Sequence, residues 1–277
     1  MTEPGTWVTV RVHPGSRRDA VIAALFESGA QGIQEVGETV VTQVASQEHA
    51  DALERAALAA SADAEVQTAP LARVDWSEQW KTGIHAQVLG DLTVAPPWLA
   101  DDLDPASAIV IEPGMAFGTG EHATTRGVIR LMQSVIRAGD RIADLGSGSA
   151  VLAIAAAKLG ATYVAAIELD HDAIENAEQN VARNHVEGRV VVIEGDAATL
   201  LPLVAPVRVV TANIISSVLI ELLPVIAMSL DDDGRAILSG ILAEEREMML
   251  RSVEDSGWRV EAEDREDIWW SATIARP

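Results

Sequence analysis

The residues whose types and spacing could do chemistry stand in four places, most of them at the end of an apolar run. The first is ADLGSGSAVLAIAAAKLG (143–160), where Asp144 closes a strand-like run and Gly146-Ser147-Gly148-Ser149 follows before a helix opens. Small residues let the backbone approach a bound molecule closely, and the free N–H groups at a helix start point into the same space. Val151 stands where a dinucleotide fingerprint needs its third glycine, so G-x-G-x-x-G is not met. Asp144, just ahead of the loop, suits a cationic part of a ligand, directly or through water. The second is Glu168, 22 residues after Gly146 at the end of YVAAIEL. A carboxylate there has two oxygens for the two hydroxyls of a ribose. Asp170 is the alternative, although it suits the N-cap of the next helix better. The third is Asn213, ending VRVVTAN. A side-chain carbonyl at the carboxyl end of a central strand faces the ligand crevice and accepts a hydrogen bond from a substrate amine; the bland alternative is a cap for the following helix. The fourth is IEPGMAFGTGEHATTRGVI (111–129), which gathers Gly114, Gly118 and Gly120 around an aromatic, small hydroxyls and His122. It is too irregular for core and too dense for a random loop. His122 suggests a base, but it has no second histidine or carboxylate at metal spacing, so no metal is expected.

These residues need a scaffold that brings strand ends together. From residue 84, RIADLG, YVAAIEL, RVVVIEG, VRVVTANI and RAILSG alternate with helices at 151–160, 172–184, 216–229 and 242–256. Alternation of this kind predicts a mostly parallel α/β sheet covered on both faces. WRVEAED and IWWSATIA read as an antiparallel hairpin at one edge. The first 70 residues read as a smaller βαβαβ sandwich: WVTVRV (7–12), a helix Arg17 to Gly29 with Ser16 as N-cap, VVTQVAS (40–46), a helix over 48–60, and EVQTAPL (65–71). Residues 72–83 read as a connector on which Trp76 and Trp80 share one helix face and pack the domains together. The expected organisation is a domain over 1–70, a linker over 71–83 and a larger domain over 84–277.

EPGMAFGTGEHATT, DLGSGSAVLAIAAAKLGA, AIELDHDAIENAEQNVARN, TANI and LSGIL, in this order and spacing, resemble the bacterial ribosomal protein L11 methyltransferase family (PrmA), over residues from about 74 to 277. The resemblance implies a Rossmann-like seven-stranded methyltransferase domain that uses S-adenosylmethionine, and an N-terminal ferredoxin-like α+β domain that recognises the substrate. It implies methylation of lysine side chains and the N-terminal amine of a basic ribosomal protein, L11. Carried over by residue, cofactor contacts fall on Thr125, Gly146, Glu168 and Asn213, with Asp144 and Gly148 in the loop and Phe117, Gly118 and Thr119 at the methionine end. Asp196, with Ala197, stands where the adenine edge is read. Asn213 is the expected catalytic residue, and Glu112, Glu121 and His122 are candidates for transient proton acceptance. Glu112 and Glu168 replace aspartates usual in the family, and Glu121-His122-Ala123 replaces threonine-histidine-proline; these departures bear on target choice rather than on cofactor binding.

Composition limits the partners. Asp plus Glu total 42 against 20 Lys plus Arg, a net charge of −22, which repels phosphate backbones and attracts a basic partner. There is no cysteine, so a disulfide framework, a thiolate metal site and a cysteine nucleophile are excluded. No apolar run reaches the roughly 18 residues of a membrane span, and the N-terminus does not read as a secretory signal. A cytoplasmic monomer is expected. Three rivals remain: methylation of another basic protein, methylation of a nucleic-acid base amine, and a non-catalytic domain that only binds S-adenosylmethionine. The second is disfavoured because Asn213 is followed by Ile-Ile-Ser rather than by prolines and an aromatic.

Overall fold

A computed structural model describes residues 7–70, 84–113 and 117–276. The chain divides into two compact units, Met1–Gln79 and Trp80–Pro277. The expected connector with Trp76 and Trp80, and Gly114 of the glycine-rich block, lie outside the described residues.

The first unit runs β1 (Val8–His13), α1 (Arg18–Glu27), β2 (Gln34–Val36), β3 (Thr39–Val44), α2 (Gln47–Ala60) and β4 (Glu65–Pro70). Its sheet has the order β2-β3-β1-β4, with every pair antiparallel. Val8, Val10 and Val12 alternate inward and pack with Val21, Leu25, Val40 and Leu53. The expected βαβαβ order is corrected to βαββαβ. The extra strand, β2, has three residues, all exposed, so it carries no alternation for a sequence reading to detect. Ser16 does not cap α1. It sits in a short 3₁₀ turn, and its N–H donates to Asp63 Oδ2 at 2.9 Å. Ser46 does cap α2, accepting from the His49 N–H at 3.2 Å.

The second unit opens with a small sheet, β5 (Gln87–Leu89), β6 (Leu92–Ala95) and β7 (Ala108–Val110). The main layer follows: α3 (Ala123–Val135), β8 (Arg141–Leu145), α4 (Val151–Lys158), β9 (Tyr163–Glu168), α5 (His171–Arg183), β10 (Val190–Glu194), α6 (Ala197–Val204), β11 (Val207–Asn213), α7 (Ser216–Ser229), β12 (Leu230–Leu242), α8 (Arg246–Asp255), β13 (Arg259–Glu266) and β14 (Trp269–Ala275). The seven strands lie in the order β10-β9-β8-β11-β12-β14-β13. The first five are parallel, and β14 is antiparallel to both neighbours.

Strand residues alternate between two cores. Ile142, Val209 and Ile237 face α3, α4 and α5, through Met132, Ile154 and Ala177. Ala143, Val210 and Leu238 face α6, α7 and α8, through Leu201, Ile226 and Met249. A sheet buried on both faces explains why the central strands read as continuous apolar runs. The closing hairpin is present, but its last strand is not at the edge. β14 is inserted between β12 and β13, which is why IWWSATIA is buried nearly throughout while β13 alternates between exposed and half-buried positions. Among the described residues, no helix is long and apolar enough to cross a membrane.

Candidate active site

Strand order reverses between β8 and β11, and in an open α/β sheet the crevice at the carboxyl ends of such a pair is the ligand site. The loop after β8 is shaped for close approach. Gly146 and Gly148 have φ of +67° and +51°, and Ala150, at +64°, opens α4 without a side-chain cap. A Cβ on Gly148 would lie 2.5 Å from the Phe117 carbonyl oxygen, and one on Gly146 would lie 2.5 Å from Ile214 Cγ2. The N–H groups of Gly146 and Ser147 donate to the Ile167 carbonyl at 2.9 and 3.1 Å. The glycine-rich block is fastened to the same loop. Ser149 N–H donates to the Phe117 carbonyl at 2.9 Å, and Ser149 Oγ donates to the Gly118 carbonyl at 2.6 Å. Thr119, half-buried, continues that block.

Glu168 closes the loop from the β9 side. Its Oε2 accepts from Gly148 N–H at 2.7 Å and its Oε1 from Asp170 N–H at 2.9 Å, which fixes the carboxylate plane. Asp170 spends its own side chain capping α5, accepting from Asp172 N–H at 3.0 Å. Both acids thus accept backbone N–H groups, and Glu168 also borders a cavity. A cavity of about 190 Å³ is lined by Gly146, Glu168, Leu169, Asp196, Ile214 and Val218, among others. Asp196 lines it while capping α6. Its Oδ2 accepts from both the N–H and the hydroxyl of Thr199, at 3.0 and 2.8 Å.

Beneath this loop lies a row of buried polar atoms. Asp144 is fully buried, and its Oδ1 accepts from the Thr211 hydroxyl at 2.6 Å. Burial pushes its carboxyl up to about 7, against the downward pull of Thr211 and of the Ala153 amide, while Glu168 adds to the rise. Asp144 thus underlies the loop instead of lining the open cleft. Thr211 lies opposite Asp144 in the sheet, and Asn213 lies opposite Ser239. Ser239 in turn donates to the Thr124 carbonyl at 3.3 Å in the first turn of α3. Along this path Asp144 Oδ2, Thr125 Oγ1, Ser147 Oγ and Asn213 Oδ1 are buried without a hydrogen-bond partner. A buried polar atom left unpaired costs about 1–3 kcal/mol. Such unpaired atoms, at the ends of β8 and β11, in the loop after β8 and in the first turn of α3, fit a polar ligand with donors and acceptors of its own, as an aminoacyl nucleoside has.

The three candidate proton acceptors differ in their surroundings. Glu112 is ion-paired with Arg183 at 3.1 Å. Glu121 gives its carbonyl to Arg126, which is also paired with Glu266. His122 caps α3: its Nδ1 accepts from Thr124 N–H at 3.3 Å and lies 2.7 Å from the Thr124 hydroxyl. Burial, aided by Arg126, holds its pKa below the usual histidine value, so the ring is neutral with its lone pair turned inward. Its ring makes edge-to-face contacts with Phe117 and Trp269. Among the described residues, no three His, Asp or Glu side chains gather as a metal set.

Sequence reasoning missed several supports. Asn180 Oδ1 accepts from Glu112 N–H at 2.9 Å, and its Nδ2 donates to the Ser149 carbonyl at 3.2 Å. Asn184 brackets Val110, accepting from its N–H at 2.8 Å and donating to its carbonyl at 2.7 Å. Both sit on the buried side of α5. Two asparagines four apart, in register with the helix's apolar positions, were the available signal, because buried amides are there to bond.

A doubly wound sheet of this order, with a glycine loop after its first strand, an acid ending the second and a polar strand end at its switch point, is the Rossmann-like fold of S-adenosylmethionine-dependent methyltransferases. Comparison with known proteins agrees. The model for ribosomal protein L11 methyltransferase (PrmA) matches residues 6–277, and the chain belongs to that family. A relative from Lacticaseibacillus paracasei, named ribosomal protein L11 methyltransferase, is 37% identical over 217 residues, covering 76% of this chain and 67% of its own. One of the same name from Symbiobacterium thermophilum is 38% identical, covering 73% and 65%. The chain thus spans about two thirds of the length of the curated relatives it matches. The crystal structure of a ribosomal protein L11 methylase from Lactobacillus delbrueckii subsp. bulgaricus superposes with a TM-score of 0.60 at 28% identity, covering 70% of this chain and 99% of the other.

Proposed function

We propose that this protein transfers methyl groups from S-adenosylmethionine to lysine side-chain and N-terminal amines of ribosomal protein L11. The observation that carries the reading is Asn213 Oδ1, buried and unpartnered at the carboxyl end of β11 beside the switch point. An acceptor there suits an amine N–H, and accepting one of the amine's protons aims its lone pair. The cofactor supplies an electrophilic methyl carbon on a sulfonium.

The chain's residues supply position and environment. Glu168, held rigid by two N–H donors, would take the ribose hydroxyls, and Gly146 would admit the backbone to close range. Thr125 Oγ1 would bond the aminoacyl end, with Phe117, Gly118 and Thr119 beside it, and Asp144, beneath the loop, would act on that end through its charge or through water. Asp196 and Ala197 would border the base. A lysine must be neutral to attack, which at pH 7.5 costs roughly 4 kcal/mol from a pKa near 10.4. A desolvated site next to positive charge lowers that cost. With Glu112 and His122 otherwise engaged, no fixed base is required: the proton leaves to solvent, and catalysis is mainly positioning.

The N-terminal unit is the proposed recogniser of the substrate, and the net charge of −22 favours encounter with a basic ribosomal protein over nucleic acid. The protein is proposed to act as a cytoplasmic monomer. The test is intact-mass spectrometry of purified L11 incubated with S-adenosylmethionine and either the wild type or Asn213→Ala. Wild type should give a ladder of single-methyl steps. The variant, which also loses one expected cofactor contact, should still bind cofactor at saturating concentration yet turn over at least about a hundredfold more slowly there. Unchanged turnover in Asn213→Ala would remove Asn213 from the mechanism. An unmodified L11, with cofactor bound, would redirect the search to other basic proteins.

A further inference from the structure

Three rings from three elements meet at one end of the sheet. Phe117 comes from the glycine-rich block, His122 caps α3, and Trp269 opens β14. The Phe117 and His122 centroids are 5.1 Å apart and those of His122 and Trp269 4.9 Å, each pair inclined at 64°. These are edge-to-face contacts, which fix rings while leaving other faces free.

Their position ties them to the transfer site. The Phe117 carbonyl is bonded to Ser149 of the cofactor loop. Thr124, bonded to His122, gives its carbonyl to Ser239, the residue opposite Asn213. Trp269 pairs with Leu242 at the carboxyl end of β12. A latch holds the group. Arg126 binds the Glu121 carbonyl next to His122 and also pairs with Glu266, the residue opposite Trp269. Core packing does not account for the set, because Phe117 is 55% exposed.

We propose that Phe117, His122 and Trp269 form an aromatic collar that receives the target ammonium group and holds its methylated products. The proposal rests on the amine-methylating reading above and adds residues that select the substrate. Aromatic faces attract cations, and methylated ammonium ions favour such sites because they shed water more readily than a bare ammonium. Each transfer leaves the nitrogen one methyl richer and positively charged until it loses a proton. A collar beside the transfer site keeps that product from leaving between rounds. The neutral state of His122 fits this role, since a second cation there would repel the first.

The test uses the full-length protein with S-adenosylhomocysteine bound, titrated with tetramethylammonium and with neopentanol, a neutral alcohol with a similarly branched head. Saturable binding of the cation is expected, weakened at least about fivefold by Trp269→Leu or by Phe117→Leu, at an exposed position that tolerates change, and restored by Trp269→Phe. Comparable binding of neopentanol, or cation binding indifferent to both leucine variants, overturns the collar. In a second arm, L11 methylated to equal total turnover should carry fewer methyls per amine with Trp269→Leu than with wild type, at unchanged cofactor affinity. An identical distribution also overturns the proposal. If the wild type leaves L11 unmodified, the substrate reading falls while the titration still decides the collar.

Discussion

Replacing Asp144 with asparagine isolates the most perturbed acid of the catalytic unit. Burial raises its folded-state pKa from the ordinary 3.8 to about 7. That interval corresponds to roughly 4 kcal/mol between neutral and charged forms. Because the folded value lies above the unfolded one, the folded protein binds more protons across the interval. The stability Asp144 contributes is therefore complete below pH 3.8, is lost as pH rises through about 7, and is constant above that. The amide of the Asp144→Asn variant cannot ionise, so in urea denaturation of the cofactor-free protein the stability difference should move in the variant's favour from about pH 4 to about pH 7 and then level. The full movement approaches the 4 kcal/mol above, on top of a pH-independent cost to the variant of about 1–3 kcal/mol for an amide group left without an acceptor where Oδ2 now stands. Cofactor binding should show the opposite preference. A sulfonium ligand favours the ionised acid, so wild-type affinity should climb by at most about tenfold per pH unit below 7 and then level. Calorimetric titrations of both proteins at fixed ionic strength read this directly. A stability gap independent of pH, or the same affinity profile in wild type and variant, would refute the assignment.

Three further outcomes follow from the geometry. Glu168→Gln should raise the cofactor Kd by about tenfold or more, since a charged acceptor is lost at a point where two backbone donors hold it; calorimetry checks this. Gly148→Ala should abolish cofactor binding and lower the thermal midpoint, because its Cβ meets the Phe117 carbonyl at 2.5 Å, whereas Gly139→Ala, with open space but a φ of +95°, should cost about 1–3 kcal/mol of stability and leave binding intact. A protein of residues 84–277 should bind S-adenosylmethionine but methylate L11 poorly; full activity would remove the recognition role from the first unit.

The legible parts of the fold were those with a period. Central strands flanked by Gly-rich loops and followed by helices announce a parallel sheet, and β8, β9 and β11 end where their sequences turn polar. The hairpin WRVEAED and IWWSATIA was equally plain as a hairpin, yet its insertion beside β12 was not. That placement is set by which strand is buried on both faces, and the contrast between an alternating β13 and a continuous β14 encodes it only when the two are compared. β2 escaped notice for the opposite reason: Gln34–Val36 is short and exposed, and its hydrogen bonds come from β3 rather than from any side-chain pattern.

The site divides along the same line. Gly146, Gly148 and Glu168 act through backbone conformation and one carboxylate at a fixed offset, so a local motif suffices to find them. The transfer end is assembled from distant elements. Ser239, opposite Asn213, is bonded to Thr124; Ser149 holds the block at 117–122 and is itself held by Asn180; and Arg126 and Arg130 tie the hairpin to α3 through Asp264 and Glu266, where Trp269 meets His122. None of these contacts has a sequence spacing of its own. Among chains that share the loop, the proposed roles predict that differences in target trace to the N-terminal unit and to the convergence of the glycine-rich block, the first turn of α3 and the start of β14, and that differences in cofactor affinity trace to the loop and Glu168.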